Sequence, residues 1–217
     1  MRTIIDTASQ DSDARLLIAL LSGSFSEPED FVREGFPAAA RAQGIGAEMV
    51  MAEVRAAWFA DRTVVQRIRD CIVLPAQSRG RSRIWLAGIS IGGLAALGYA
   101  ARHEADIEGV VLISPYPATR DVLREMQDAG GLDTWKPVIP PEGDLEREAW
   151  LWLGANRGRA LPVHCYLASG DRFADGQRCM ADALPLGRVH ELPGGHDWAA
   201  WRALWSGFLA DSKAALQ

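Results

Sequence analysis

The chain has 217 residues, 48% of them apolar and 24% charged, with a formal net charge of −5. That length supports a sizeable core, and that hydrophobicity excludes a disordered chain. The acidic balance gives nucleic-acid binding no electrostatic support, and acidic residues are spread among the arginines, so no basic face is expected.

Thr3 to Asp6 can form a short edge strand. Arg15 to Gly23 (RLLIALLSG) is a continuous apolar run, the signature of a strand buried on both faces. Its aliphatic part, Leu16 to Leu21, is far shorter than the ~20 residues of a membrane span. The N-terminus, MRTIIDTASQDSD, has no apolar secretory segment, so the expected compartment is the cytoplasm. Ser26 and Glu29 have capping-box spacing, with Pro28 in the first turn, and a helix is expected to run to about Arg41 before Gly44 and Gly46 close it. Ala47 to Val54 reads as the next strand. Asp61 to Leu74 has apolar residues at helical spacing, ended by Pro75. The arginine-rich Arg79 to Arg83 reads as a solvated loop, with contact to an anion or a phosphopantetheine as the alternative. Then come strand Arg83 to Ala87, helix Ile91 to Arg102 and strand Gly109 to Ile113.

After Ser114-Pro115 the rhythm breaks. Residues 117–159 hold a helix, a Pro/Gly-rich loop and a second helix, which reads as a lid-like insertion. Alternation resumes with strand Val163 to Ser169, helix Ala174 to Leu184, strand Val189 to Leu192 and helix Trp198 to Asp211. With no repeat and no linker, this is a single α/β domain: a mostly parallel twisted sheet flanked by helices. The insertion belongs over the carboxyl ends of the strands, where such sheets bind ligands. Cys71, Cys165 and Cys179, an odd number without CxxC spacing, are expected to be reduced thiols rather than disulfides or a zinc site.

Gly88-Ile89-Ser90-Ile91-Gly92 is G-x-S-x-G between an apolar strand and an Ala/Leu-rich helix. A sharp strand-to-helix turn there lifts the Ser90 hydroxyl clear of the sheet, and the flanking glycines avoid Cβ clashes. The Ile91 N–H then stands at a helix N-terminus, where it can stabilise an oxyanion. The competing reading is a tightly packed glycine turn, or one that cradles a phosphate.

A serine nucleophile needs a base. His103 ends a helix, and His164 and His190 fall within strands. His196 follows LPGG after the last strand, on the same rim as Ser90. The orienting acid is Asp171, just past the strand VHCYLAS. Asp175 lies inside a helix start, and Asp197 is too close to His196 in sequence to fold back to its ring. The order Ser90, Asp171, His196 is that of one particular serine-hydrolase arrangement.

With GISIGG at 88–93, GD at 170–171, GGHDW at 194–198 and LSGSF at 21–25, the chain resembles the α/β-hydrolase superfamily over nearly its whole length. The likeness is to a small serine esterase or thioesterase. It implies a second oxyanion donor from the loop after an early strand, the backbone N–H of Ser24 or Phe25. The loop lacks the HGGG form of many lipases, and only one strand precedes RLLIALL where larger relatives have two. The expected reaction is hydrolysis of a small-molecule carboxylic ester or thioester through an acyl-enzyme, with no metal or organic cofactor. An acyltransferase using the same three residues and a non-catalytic binding protein on the same fold are the alternatives. Trp198, Trp201 and Trp205 recur at helical spacing and are expected to pack the last helix on the sheet. Trp135, Trp150 and Trp152, in the insertion, are candidates for an apolar substrate wall. The sequence leaves the oligomeric state, the acyl length and the alcohol or thiol open.

Overall fold

The structure, a computed structural model, describes residues 1–7, 15–137, 143–157, 161–185 and 187–217. Seven strands make one sheet: β1 (Thr3–Thr7), β2 (Leu16–Leu21), β3 (Glu48–Ala52), β4 (Arg83–Ile89), β5 (Gly109–Ile113), β6 (Val163–Ala168) and β7 (Val189–Leu192). They lie in the order β1-β3-β2-β4-β5-β6-β7; β1 runs antiparallel to β3 and every other neighbouring pair is parallel. This is the α/β-hydrolase architecture.

All six residues of β2 are buried, because helices cover both faces of the sheet and successive side chains enter opposite layers. Leu17, Ala19 and Leu21 join one cluster with Leu86, Leu94 and Leu97. Leu16, Ile18 and Leu20 join the other, with Phe31, Phe36, Trp205 and Phe208. The helices are α1 (Pro28–Arg33), α2 (Phe36–Ala42), α3 (Ala57–Ala60), α4 (Val64–Ile68), α5 (Leu74–Ser78), α6 (Ile91–His103), α7 (Arg120–Asp128), α8 (Leu145–Ala155), α9 (Ala174–Ala181), α10 (Trp198–Asp211) and α11 (Lys213–Leu216).

Three local expectations change. The first helix caps one residue later than Ser26: Pro28 occupies the first helical position, so Glu27 is the cap and the Asp30 carboxylate accepts the Glu27 N–H at 2.8 Å. The helix expected to reach Arg41 is two helices, split at Gly35, whose φ of 77° is left-handed. Pro75 does not end its helix. A π-turn over Arg69–Val73 precedes it, and Pro75 sits in the first turn of α5, where its missing N–H costs little.

The described part of the insertion carries α7 and α8, and α8 joins the helical layer beside α6. Its helix α8 lies on α6 so closely that a Cβ at Gly98 would come within 2.5 Å of Leu145 Cδ1. Ala149, Trp150 and Leu153 are buried there. Arg79 and Arg81 pair with the buried carboxylate of Glu48. Glu48 opens β3, at the end of the sheet away from Ser90, so these arginines lie far from the rim that the sequence marked.

Candidate active site

The carboxyl ends of β4, β6 and β7 deliver Ser90, Asp171 and His196 to one place. Ser90 has φ 53° and ψ −119°, a conformation a serine rarely adopts. Its neighbours explain the turn. A Cβ on Gly88 would lie 2.2 Å from the Gly92 carbonyl carbon, and one on Gly92 would lie 2.3 Å from the Leu21 carbonyl oxygen. Backbone bonds hold the strain: Ser90 N–H donates to Ile113 O at 3.2 Å, while Ser90 O accepts from Gly93 and Tyr116 N–H, each at 2.9 Å.

His196 Nδ1 lies 2.7 Å from Asp171 Oδ2, and Nε2 lies 3.1 Å from Ser90 Oγ. An ionised Asp171 can only accept, so Nδ1 carries the proton and Nε2 is free to accept from the hydroxyl. The Asp171 side chain is wholly buried. Burial pushes its carboxyl pKa up, but the hydrogen bonds from His196, the Phe173 N–H and Gln177 outweigh it, and the net shift is downward. Phe173 N–H reaches Oδ1 at 2.8 Å. The loops that carry Asp171 and His196 are bonded through the main chain: Ser169 N–H donates to Leu192 O and Gly170 N–H to Gly194 O, each at 2.9 Å. Two rings meet the imidazole edge-on, Phe173 at 5.2 Å and Trp201 at 5.1 Å.

The rejected acids stand elsewhere. Asp197 caps α10 by accepting from Ala200 N–H at 3.0 Å. Asp175 is fully exposed, 3.5 Å from Arg178. His103 ends α6, and His164 and His190 sit in β6 and β7, as their sequence positions suggest.

A cavity of about 320 Å3 opens at Ser90, and Ser24, Phe59, Ile91, Tyr116, Glu146 and Arg172 are among its walls. Gly23 passes so near Ser90 that a Cβ there would touch Ser90 Cβ at 3.5 Å. Ser24 therefore sits at the cavity, whereas the Phe25 ring is 98% exposed and takes no part in its lining. The three insertion tryptophans do not reach it. Trp150 is buried and donates Nε1–H to Pro117 O at 2.8 Å. Trp152 donates to Glu104 at 3.0 Å, beyond the far end of α6, and Trp135 is buried in the core. The apolar wall comes from Phe59, Leu94, Tyr116 and Phe173 instead. Tyr116 and Phe173 each follow a strand end by a few residues, a position legible in the sequence although their aim was not. Gln177, also missed, is fully buried and donates Nε2–H to Pro115 O at 3.1 Å, so it links the Asp171 loop to the turn after β5.

The family model described as "Putative esterase" matches residues 59–211, which is 153 of the 217. The chain belongs to this esterase family. The family places it among the ester-hydrolysing members of the α/β-hydrolase superfamily. No curated protein matches the esterase in sequence. Among solved structures, it is similar to Est1E from Butyrivibrio proteoclasticus, with 16% identity and a TM-score of 0.65 over 98% of this chain and 94% of that one. It is also similar to the S-formylglutathione hydrolase FrmB from Staphylococcus aureus, with 14% identity and a TM-score of 0.62 over 89% and 79%. A monoacylglycerol lipase from Paleococcus ferrophilus gives 17% identity and a TM-score of 0.60 over 98% and 100%. No described helix of the esterase is long and apolar enough to cross a membrane.

Proposed function

We propose that the protein hydrolyses small-molecule carboxylic esters, thioesters included, through an acyl-enzyme on Ser90. The observation that carries this reading is the single imidazole bridging a buried carboxylate at 2.7 Å and a strained serine hydroxyl at 3.1 Å. His196 Nε2 takes the Ser90 proton as Oγ attacks the acyl carbon. The oxyanion is received by the N–H of Ile91 and of Ser24. The imidazolium then protonates the departing alcohol or thiol, leaving the acyl group on Ser90. His196 next removes a proton from water, which attacks the acyl carbon; the acid leaves and Oγ regains its proton. Asp171 remains ionised throughout and holds the ring by Nδ1–H.

Fluorophosphonate labelling followed by peptide mapping tests the reading. The adduct is expected on Ser90, and Ser90→Ala should lower kcat on p-nitrophenyl acetate by about 10⁴ to 10⁶. An adduct on another serine, or undiminished turnover in the variant, overturns it.

A further inference from the structure

Beside the Ser90 cavity lies a second chamber of about 300 Å3, whose walls include Tyr116, Arg120, Leu123, Arg172, Phe173 and Asp175. Tyr116, Arg172 and Phe173 line both spaces, so the two chambers share one wall. The Tyr116 and Phe173 rings meet edge-on at 5.3 Å along that wall.

Many arginines of this protein are neutralised. Arg41 pairs with Asp6, Arg81 with Glu48, Arg83 with Glu108 and Arg102 with Glu148. Arg147 pairs with both Glu125 and Asp144. Arg120 and Arg172 have no carboxylate partner among the described residues. The Arg172 guanidinium lies 4.8 Å from the Phe173 ring centre, which orients the cation without cancelling its charge. Arg120 is the first residue of α7, a nine-residue helix, so the positive end of its dipole adds to the same region. Two acids face these spaces, Asp175 in the chamber and Glu146 on the Ser90 side. Asp175 stands 3.5 Å from Arg178, which also reaches Glu191 at 2.8 Å. Glu146, on the Ser90 side, accepts from Thr119 N–H at 2.9 Å and from its hydroxyl at 2.8 Å. The chamber walls thus set two guanidinium groups against the one carboxylate of Asp175, an excess of one positive charge beside a neutral phenol. Partial burial, then Glu146, raise the pKa of that Tyr116 phenol.

Which arm of the substrate the chamber serves follows from His196. The leaving oxygen or sulfur must lie within hydrogen-bond reach of Nε2 to be protonated. Phe173 meets the His196 ring edge-on and also lines the chamber, so the chamber adjoins the ring that would protonate the leaving atom. We infer that it is an anion subsite: the preferred substrate is an ester or thioester whose alcohol or thiol arm carries a carboxylate or phosphate, gripped by Arg120 and Arg172. This inference rests on Ser90 being the nucleophile.

The test compares phenyl acetate with 4-acetoxybenzoate and 4-acetoxyphenyl phosphate, three esters that share one acyl group. Phenyl hydrogen succinate serves as the control with its charge on the acyl arm. The wild-type protein should favour at least one of the two leaving-arm anions over phenyl acetate by about tenfold in kcat/KM, and which one it favours tells carboxylate from phosphate. Arg120→Gln and Arg172→Gln should each lower the anionic-to-neutral ratio by about fivefold, and Arg172→Lys should retain part of it. Raising the salt should shrink the ratio in the wild type more than in the double variant. A wild type without preference, a ratio that survives in the double variant, or a preference confined to phenyl hydrogen succinate overturns the inference while leaving the hydrolase reading intact. If no ester is turned over and fluorophosphonate leaves Ser90 unlabelled, the hydrolase reading fails and takes the subsite with it.

Discussion

Replacing Asp171 by Asn should remove catalysis without removing the fold, and the hydrogen-bond pattern dictates why. Asp171 Oδ1 accepts the Phe173 N–H at 2.8 Å, while Oδ2 faces His196 Nδ1 at 2.7 Å. An asparagine can keep the first bond only by placing its oxygen at the Oδ1 position. Its amide nitrogen then falls opposite Nδ1 and must donate. The ring responds by carrying its proton on Nε2, which faces Ser90 Oγ at 3.1 Å and can no longer accept from it. The expected loss is about 10³ to 10⁴ in kcat, or about 4 to 5.5 kcal/mol of transition-state stabilisation. Because the replacement is isosteric and the Phe173 bond survives, the urea midpoint should shift little. Steady-state hydrolysis of p-nitrophenyl acetate gives the first quantity and a denaturation curve the second. Asp197→Asn and Asp175→Asn, which alter a helix cap and an exposed ion pair, should change kcat by less than about threefold. A greater loss from Asp197→Asn, or an Asp171→Asn variant within tenfold of wild type, refutes the tautomer argument.

Chain-length selectivity should respond to the walls of the Ser90 cavity. Across short acyl esters kcat/KM should change by up to about fourfold per methylene, and Phe59→Ala should flatten that profile while Trp152→Ala leaves its slope intact; the reverse pattern would restore the tryptophan wall. Stability should also depend on His164. Burial, with Arg188 and His190 adding to it, lowers its pKa from 6.5 to about 4. The unfolded chain therefore binds a proton that the folded chain refuses, so stability is full above pH 6.5 and falls as the pH drops toward 4. The slope is at most about 1.4 kcal/mol per pH unit, and between pH 6.5 and 5 the loss should be roughly 1 to 2 kcal/mol. Urea unfolding across that range, compared with His164→Gln, checks it: equal slopes for the two proteins would refute the assignment.

Strand positions and the rim location of Ser90, Asp171 and His196 were legible because their signals are local. The run at Leu16–Leu21 is apolar without interruption since both of its faces are covered. The glycines beside Ser90 and at the ends of β6 and β7 mark where backbones approach too closely for a Cβ. Signals that depend on distant partners were silent. Gly35 and Pro37 mark a break inside the expected helix, but nothing near them says that Phe36 stacks on Trp205. The insertion tryptophans announce burial, but composition cannot say against what: helix α8 turns Trp150 into the core and hands the rim to Glu146. Arg79 and Arg81 were readable only as charge, because their partner Glu48 lies over thirty residues earlier.

Ser90 and His196 are held by strands of opposite character. Ser90 leaves β4, whose last six residues are buried, whereas His196 leaves β7, a four-residue strand at the sheet's edge with no buried position. Beyond the ladder to β6, the His196 loop is held by two main-chain bonds from Ser169 and Gly170, the Asp197 cap of α10 and the bond from His196 to Asp171. Opening that edge is a local event that leaves both core clusters standing, so it requires less free energy than global unfolding. Thermal inactivation of the proposed activity is therefore expected to start with fraying at β7, so that activity disappears at temperatures where the rest of the sheet is still protected from hydrogen exchange.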